Sequence, residues 1–226
     1  QGVLLARARE IDAPVSLIGR DFAYTVSGPP FALQFSYESP SLRLGPLPLG
    51  LSGAYQGENA ATAVATAEWL QPHFPKLTAE AISRGLTEAR WPCRLERVLE
   101  NPPVIIDVAH NAAGAEKLAR ELECAAIVLA VSSDKNARAM IDALATAADP
   151  LILTQFEGTR ALPLERLCEA AGNRPYLRAD TLRDAIDLGL ERASRAHPLV
   201  ITGSIFTAGQ ARQVLIHEHN ASPIRF

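Results

Sequence analysis

Val104-Ile105-Ile106-Asp107-Val108-Ala109-His110-Asn111 is the stretch on which the reading of this chain turns. A run of apolar, mostly β-branched residues ends in an acid, a histidine and an amide. Beyond it a helical pattern starts at Ala112 and carries Leu118 and Leu122. A continuous apolar run of this kind suits a strand buried on both faces. Its polar residues then fall at the carboxyl end, where open α/β sheets keep their ligand crevice.

The same alternation continues outward from this stretch. Residues 94–99, 104–107, 126–131, 151–154, 175–177 and 199–202 read as strands, and 114–123, 137–147, 163–171, 182–196 and 207–217 as helices. Alternation of this kind predicts an α/β fold, a mostly parallel sheet with helices on both faces. Upstream the pattern changes. Residues 15–18, 22–26 and 31–37 are short β-like runs, with Gly28-Pro29-Pro30 as a turn between the last two. Leu42, Leu44, Leu47, Leu49 and Leu51 extend the alternation, and Pro46 and Pro48 assign it to a sheet edge. Helices follow at 56–70 and at 78–88, the second with Thr78 as its N-cap. Residues 89–92 read as a linker. Two segments are therefore expected: 1–90, the hairpin and helical tail of a preceding domain, and 91–226, a domain of its own.

Composition narrows the function classes. The chain has 226 residues and a formal net charge of −3. That balance gives no electrostatic footprint for nucleic acid, and no apolar run is long enough to span a membrane. Cys93, Cys124 and Cys168 are odd in number and widely spaced. That pattern predicts neither a disulfide framework nor a metal site, and points to a reducing cytoplasm. The start at Gln1, without a leader-like pattern, suggests a chain cut from a longer polypeptide.

Five residues carry the candidate chemistry. Asp107 is placed to accept hydrogen bonds from vicinal hydroxyls such as those of a ribose, or to cap a helix. His110 can stabilise phosphate or carboxylate charge, or serve as a satisfied structural residue. Arg94 suits phosphate, with an ion pair to Glu96 or Glu100 as the competing role. Asn59 can donate and accept at once, which fits an adenine edge or a local cap. Ser204 follows Gly203 before a helix start whose free amides favour anions, or is a plain N-cap. Lys135 could meet a substrate carboxylate or stay solvated. His73, His197, His217 and His219 are expected to be exposed.

Five short stretches occur in one order: Tyr55-Gln56-Gly57-Glu58-Asn59-Ala60, Pro92-Cys93-Arg94-Leu95-Glu96, Asp107-Val108-Ala109-His110-Asn111, Ser133-Asp134-Lys135-Asn136 and Thr202-Gly203-Ser204-Ile205-Phe206. The set resembles the C-terminal half of the folylpolyglutamate synthase and dihydrofolate synthase family, within the Mur ligase superfamily. The family's usual forms are H-Q-x-x-N-A, P-G-R-hydrophobic-E, D-G/A-A-H-N, S-D-K-D and C-G-S-L-Y. Tyr55 stands where His is usual, Cys93 where Gly is usual and Asn136 where Asp is usual. At Cys93 a Cβ opposes the backbone angles that glycine accepts freely.

The resemblance implies an ATP-dependent ligase that adds L-glutamate to dihydropteroate or a folate through an acyl phosphate. It places Asn59 on adenine and Asp107 on the ATP ribose. Arg94 falls on the ATP phosphates once the domains close, His110 near the terminal phosphate and incoming glutamate, and Ser204 on that glutamate. It also implies Mg²⁺, held by the missing N-terminal half of the polypeptide. None of the fourteen glycines precedes a lysine, so the phosphate-cradling loop G-x-x-x-x-G-K-[ST] is absent. The isolated chain is therefore expected to be inactive. A peptidoglycan Mur-type ligase and a non-catalytic nucleotide-binding or interaction module are the competing readings.

Overall fold

The structure is a computed structural model, and it describes residues 2–223. Gln1 and residues 224–226, at the outer ends of the two expected segments, lie outside the described residues. The chain divides into two compact units, Gln1–Arg90 and Trp91–Phe226.

In the first unit, α1 (Gly2–Glu10) precedes β1 (Ala23–Ser27), β2 (Gln34–Glu38) and β3 (Arg43–Pro48). The strands form an antiparallel meander in the order β1-β2-β3, which leaves the proline-bearing β3 at an edge. Helices α2 (Gln56–Leu70) and α3 (Ala79–Glu88) follow. Phe35, Tyr37 and Leu44 from the sheet share a core with Ala61 and Val64 of α2 and Ile82 of α3. Gly57 lets α2 close onto this sheet, since a Cβ there would lie 2.2 Å from a Val26 methyl. Thr78 caps α3 as expected, its side chain accepting from the Ala81 amide.

One local expectation fails here, and one element has no counterpart in the sequence reading. Residues 15–18 form no strand, only a single bridge between Ile18 and Phe22. Asp21 turns that segment by accepting from the Leu17 amide at 2.7 Å, with Arg20 bonded to the same carboxylate. Helix α1 was not anticipated. It buries no residue, so it carries no core-facing stripe of the kind that marks a helix in sequence.

In the second unit the strands are β4 (Glu96–Glu100), β5 (Pro103–Ile106), β6 (Ala125–Leu129), β7 (Ala148–Leu153), β8 (Leu177–Arg178) and β9 (Leu199–Thr202). The helices are α4 (Ala112–Arg120), α5 (Ala137–Leu144), α6 (Leu164–Ala171), α7 (Leu182–Leu190) and α8 (Ile205–His219). The sheet order is β4-β5-β9-β6-β7-β8, with only β4 antiparallel to its neighbour. Every residue of β5, β6 and β9 is buried. Val104, Ile106, Val128 and Ile201 pack with Ile186 of α7 and Ala208, Ala211 and Leu215 of α8. The alternate residues Ile105, Ile127 and Val200 point to the opposite face. Right-handed crossovers place α4, α5 and α6 on that face.

The connection from β5 through α4 to β6 steps over β9, whereas α8 leaves β9 toward the other face. The switch point thus lies at the carboxyl ends of β5, β9 and β6, which is where a crevice opens in such sheets. Element ends differ from the sequence reading by a few residues. The largest shift is in α7, which stops at Leu190 rather than reaching residue 196.

Candidate active site at the strand ends

Asp107 follows directly on β5 and is 4% exposed. One carboxylate oxygen accepts from the Leu95 amide at 2.9 Å and the other from the Ala109 amide at 2.7 Å. A charged acceptor on a backbone amide is worth about 1.5–3 kcal/mol, so the pair ties two loops to one strand end. Burial raises the Asp107 carboxyl above its usual range, against the opposing pull of those two amides and of Arg94 and His110 nearby. The capping role weighed for Asp107 falls instead to Asn111, whose side chain accepts from the Gly114 amide at 2.8 Å.

His110 is exposed, and its Nδ1 lies 3.0 Å from the Val108 carbonyl. A carbonyl only accepts, so Nδ1 carries the proton of this bond. Nε2 is thereby left as the nitrogen available to a ligand, an acceptor in the neutral ring and a donor in the charged one.

The segment before β4 is a tight turn. Cys93 has φ 59° and Leu95 has φ 45°, both left-handed, with Arg94 between them. The glycine expected at position 93 is thus replaced by a residue that still adopts glycine-like angles. Three bonds hold it there. The Cys93 amide donates to Glu96 at 2.7 Å, the Cys93 carbonyl accepts from the Val108 amide at 3.0 Å, and the Leu95 amide reaches Asp107. Arg94 itself is exposed. The ion pairs considered for it are taken by others, since Glu96 binds Arg212 and Glu100 binds Arg97. The strand assigned to 94–99 accordingly begins only at Glu96.

Ser204 is 2% exposed and caps α8, accepting from the Phe206 amide at 3.2 Å. Its Oγ lies 3.0 Å from the Oγ of Ser132, which follows β6. One proton is used between these two hydroxyls, which leaves the other for a further acceptor. Gly203 (φ +115°) cannot carry a Cβ without meeting the Ala130 carbonyl oxygen at 2.3 Å. Thr207 donates to that same carbonyl at 2.8 Å. Ser132 carries no local signal in sequence, because its partner Ser204 is brought to it only by the pairing of β6 with β9. Arg212, with a 6% exposed side chain, was missed as well. Its signal was present: a charged residue at helical spacing among Ala208, Ala211 and Leu215.

The second unit therefore brings Asp107, His110, the Arg94 turn and Ser204 to neighbouring strand ends. Asn59 belongs to the first unit, in the first turn of α2, where its amide donates to the Gln56 side chain at 2.7 Å. It caps nothing, since that helix begins at Tyr55 without a side-chain cap. Lys135 pairs with Asp134 at 2.7 Å on the surface. Exposure was expected of all four remaining histidines, yet two are half-buried. His197 bonds to the Asp149 carbonyl, and His219 lies 3.3 Å from Asp187. A separate cleft of about 920 Å³ opens beyond the ends of β7 and β8. Of the polar groups lining it, Gln210 clamps the Glu157 backbone, and Arg183 pairs with Glu218. None of Arg94, Asp107, His110, Ser132 and Ser204 lines it.

Among the described residues no three His, Cys, Asp or Glu side chains gather in a way that could hold a metal ion. No helix among them is long and apolar enough to cross a membrane.

Residues 93–205 match the family described as "Mur ligase, glutamate ligase domain". The chain is 34% identical over 191 residues to the folylpolyglutamate synthase of Lacticaseibacillus casei, covering 81% of this chain and 44% of that protein. It is 36% identical over 189 residues to the dihydrofolate synthase/folylpolyglutamate synthase of Mycobacterium tuberculosis, covering 73% and 39%. Among solved structures it is similar to a Mycobacterium tuberculosis folylpolyglutamate synthase complexed with ADP, with TM-score 0.84 and 32% identity over 94% of this chain and 52% of that one. The chain thus spans about half the length of the relatives it matches.

Proposed function

Because the chain belongs to the Mur ligase family through its glutamate ligase domain, we propose that it is part of an ATP-dependent ligase that adds L-glutamate to dihydropteroate or a reduced folate. The observation that carries this reading is the cluster of Asp107, His110, Ser204 and the Arg94 turn at the switch point of the sheet. The likeness to a synthase complexed with ADP supports the nucleotide side of it.

A carboxylate resists attack by an amine until one oxygen becomes a good leaving group. ATP supplies that group by phosphorylating it. The glutamate amine then adds to the acyl phosphate, and the tetrahedral intermediate collapses with loss of phosphate. The residues of this chain act on charge and orientation. Asp107 keeps one lone pair on each oxygen beyond its backbone bonds, which suits the two ribose hydroxyls. Asn59 reads the adenine edge. The Arg94 guanidinium stabilises the charge that spreads over the transferring phosphoryl oxygens. His110, through Nε2, meets the terminal phosphate and the incoming glutamate. The spare proton of the Ser204–Ser132 pair, at the amino end of α8, serves the glutamate carboxylate.

Mg²⁺ would neutralise phosphate charge. We read its protein ligands, like the phosphate-cradling loop, as belonging to the N-terminal half of the enzyme. The first unit is read as the C-terminal remnant of the ATP-binding domain. Three free thiols suit a cytoplasmic location.

The test is glutamate-dependent ADP release by the native-length polypeptide, with dihydropteroate and reduced folates as alternative acceptors. Release with either acceptor is expected, and none from residues 1–226 alone. Silence with both acceptors, from a folded protein that binds ATP, would refute the reading.

A further inference from the structure

We propose that Arg212 is a positioning residue for Arg94: acting through Glu96, it holds Cys93 in the left-handed conformation that presents the Arg94 guanidinium. The kinetic consequence rests on the reading of Arg94 as a phosphate-binding group; the brace itself does not.

One oxygen of Glu96 accepts both from the Cys93 amide and from the Arg212 guanidinium. The link joins residues 116 positions apart, from the middle of α8 to the first residue of β4. Cys93 is thus pinned at its amide by Glu96 and at its carbonyl by Val108, and Leu95 is pinned at its amide by Asp107. These bonds surround a backbone that residues with a Cβ rarely adopt, at φ 59° and φ 45° on either side of Arg94. Without them, extended conformations that swing Arg94 away become accessible.

A stabilising role alone does not explain Arg212. A buried ion pair seldom improves on well-packed apolar residues of similar volume. Arg212 lies beside Ala208, Ala211 and Leu215 on the buried side of α8, and its Nε has no partner. The position would suit an apolar residue better on packing grounds. What the arginine adds is a directed bond to the carboxylate that also holds the Cys93 amide.

The test uses Arg212→Met and Arg212→Lys, each with and without Cys93→Gly, because glycine takes the left-handed conformation without a brace. Amide hydrogen exchange of Cys93, Leu95 and Val108 reports the turn, and KM for ATP and kcat of the native-length ligase report its use. In Arg212→Met, exchange at these three amides is expected to speed up by about tenfold or more while the α4 and α5 amides hold. ATP-dependent turnover is expected to fall by about ten- to a hundredfold, the scale of a small misplacement of a charge-stabilising group. Adding Cys93→Gly is expected to restore most of both. Arg212→Lys keeps the charge and serves if the methionine variant does not fold; the same pattern is expected at smaller size. Three results would overturn the proposal: unchanged exchange at the turn, exchange that rises throughout the second unit without glycine rescue, or a loosened turn with unaltered kinetics. If the wild-type polypeptide shows no ATP-dependent ligation, the proposed function fails, and the exchange measurements still decide the brace.

Discussion

The two units use their sheets in different ways. In the first, β2 buries Phe35 and Tyr37 and exposes Gln34 and Glu38, so one face is covered and the other open. In the second, β5, β6 and β9 are buried from end to end. On a one-sided sheet a polar group can be placed anywhere along the open face. A sheet covered on both sides admits polar groups only where strands stop, because a buried one must find a partner. Asp107, Ser132 and Ser204 accordingly gather at strand ends. The first unit also keeps a polar hub at its sheet, with Glu68 accepting from Tyr37, Ser39 and Ser41. That hub lies on the covered side, with Tyr37, and reaches the surface at Ser41.

The comparison predicts unequal tolerance to change. The largest effect is expected at Gly203→Ala, where a positive φ and a clash with a backbone carbonyl combine; about 3 kcal/mol of stability should be lost, read by denaturant unfolding. The equivalent change in the first unit, Gly57→Ala, meets the side chains of Val26 and Tyr24 rather than backbone, at a φ that alanine accepts, and should cost about 1–2 kcal/mol. Equal losses would break the contrast between the units.

Asp107→Asn should cost about 1–3 kcal/mol, because the amide cannot accept from both Leu95 and Ala109. It should also change the pH profile. Since the folded-state pKa of Asp107 is raised, the folded protein keeps a proton that the unfolded chain has already lost. Its contribution is therefore greatest below the unfolded carboxylate pKa, about 4, and declines as pH rises toward the folded value. The stability difference between wild type and Asp107→Asn should shrink over that rise; a difference that grows instead would contradict the burial argument.

Asn111→Ala removes the cap of α4 and should cost about 1 kcal/mol, with Ser204 and Ser132 undisturbed by amide chemical shifts. Smallest of all, Gly85→Ala in α3 and Gly209→Ala in α8 meet nothing within 4 Å and should each stabilise by up to about 1 kcal/mol. Matching gains in the two units would show that their contrast lies in the sheets and not in the helices.

Much of this was legible beforehand. Val104-Ile105-Ile106 announced a strand buried on both faces, Thr78 an N-cap, and Pro46 and Pro48 an edge. The gathering of Asp107 and His110 at one strand end followed from their adjacency. The failures have physical causes. Residues 15–18 have β-forming composition, but the Asp21 side chain turns the backbone and takes the Leu17 amide that a ladder would use. Residues 94–99 look like one strand, yet the bonds to Asp107 and Glu96 bend its first part into the left-handed turn.

Local periodicity and end chemistry were enough to determine the α/β class and its mostly parallel sheet. They act over a few residues, and a sequence of 226 residues displays them directly. Strand order was decided by tertiary structure alone. Placing β9 between β5 and β6 sets Ser204 against Ser132, 72 residues away, and packing α8 on the sheet brings Arg212 to Glu96. Such pairings depend on how buried faces stack and on which donors then find acceptors, and no local pattern along the chain records that distance.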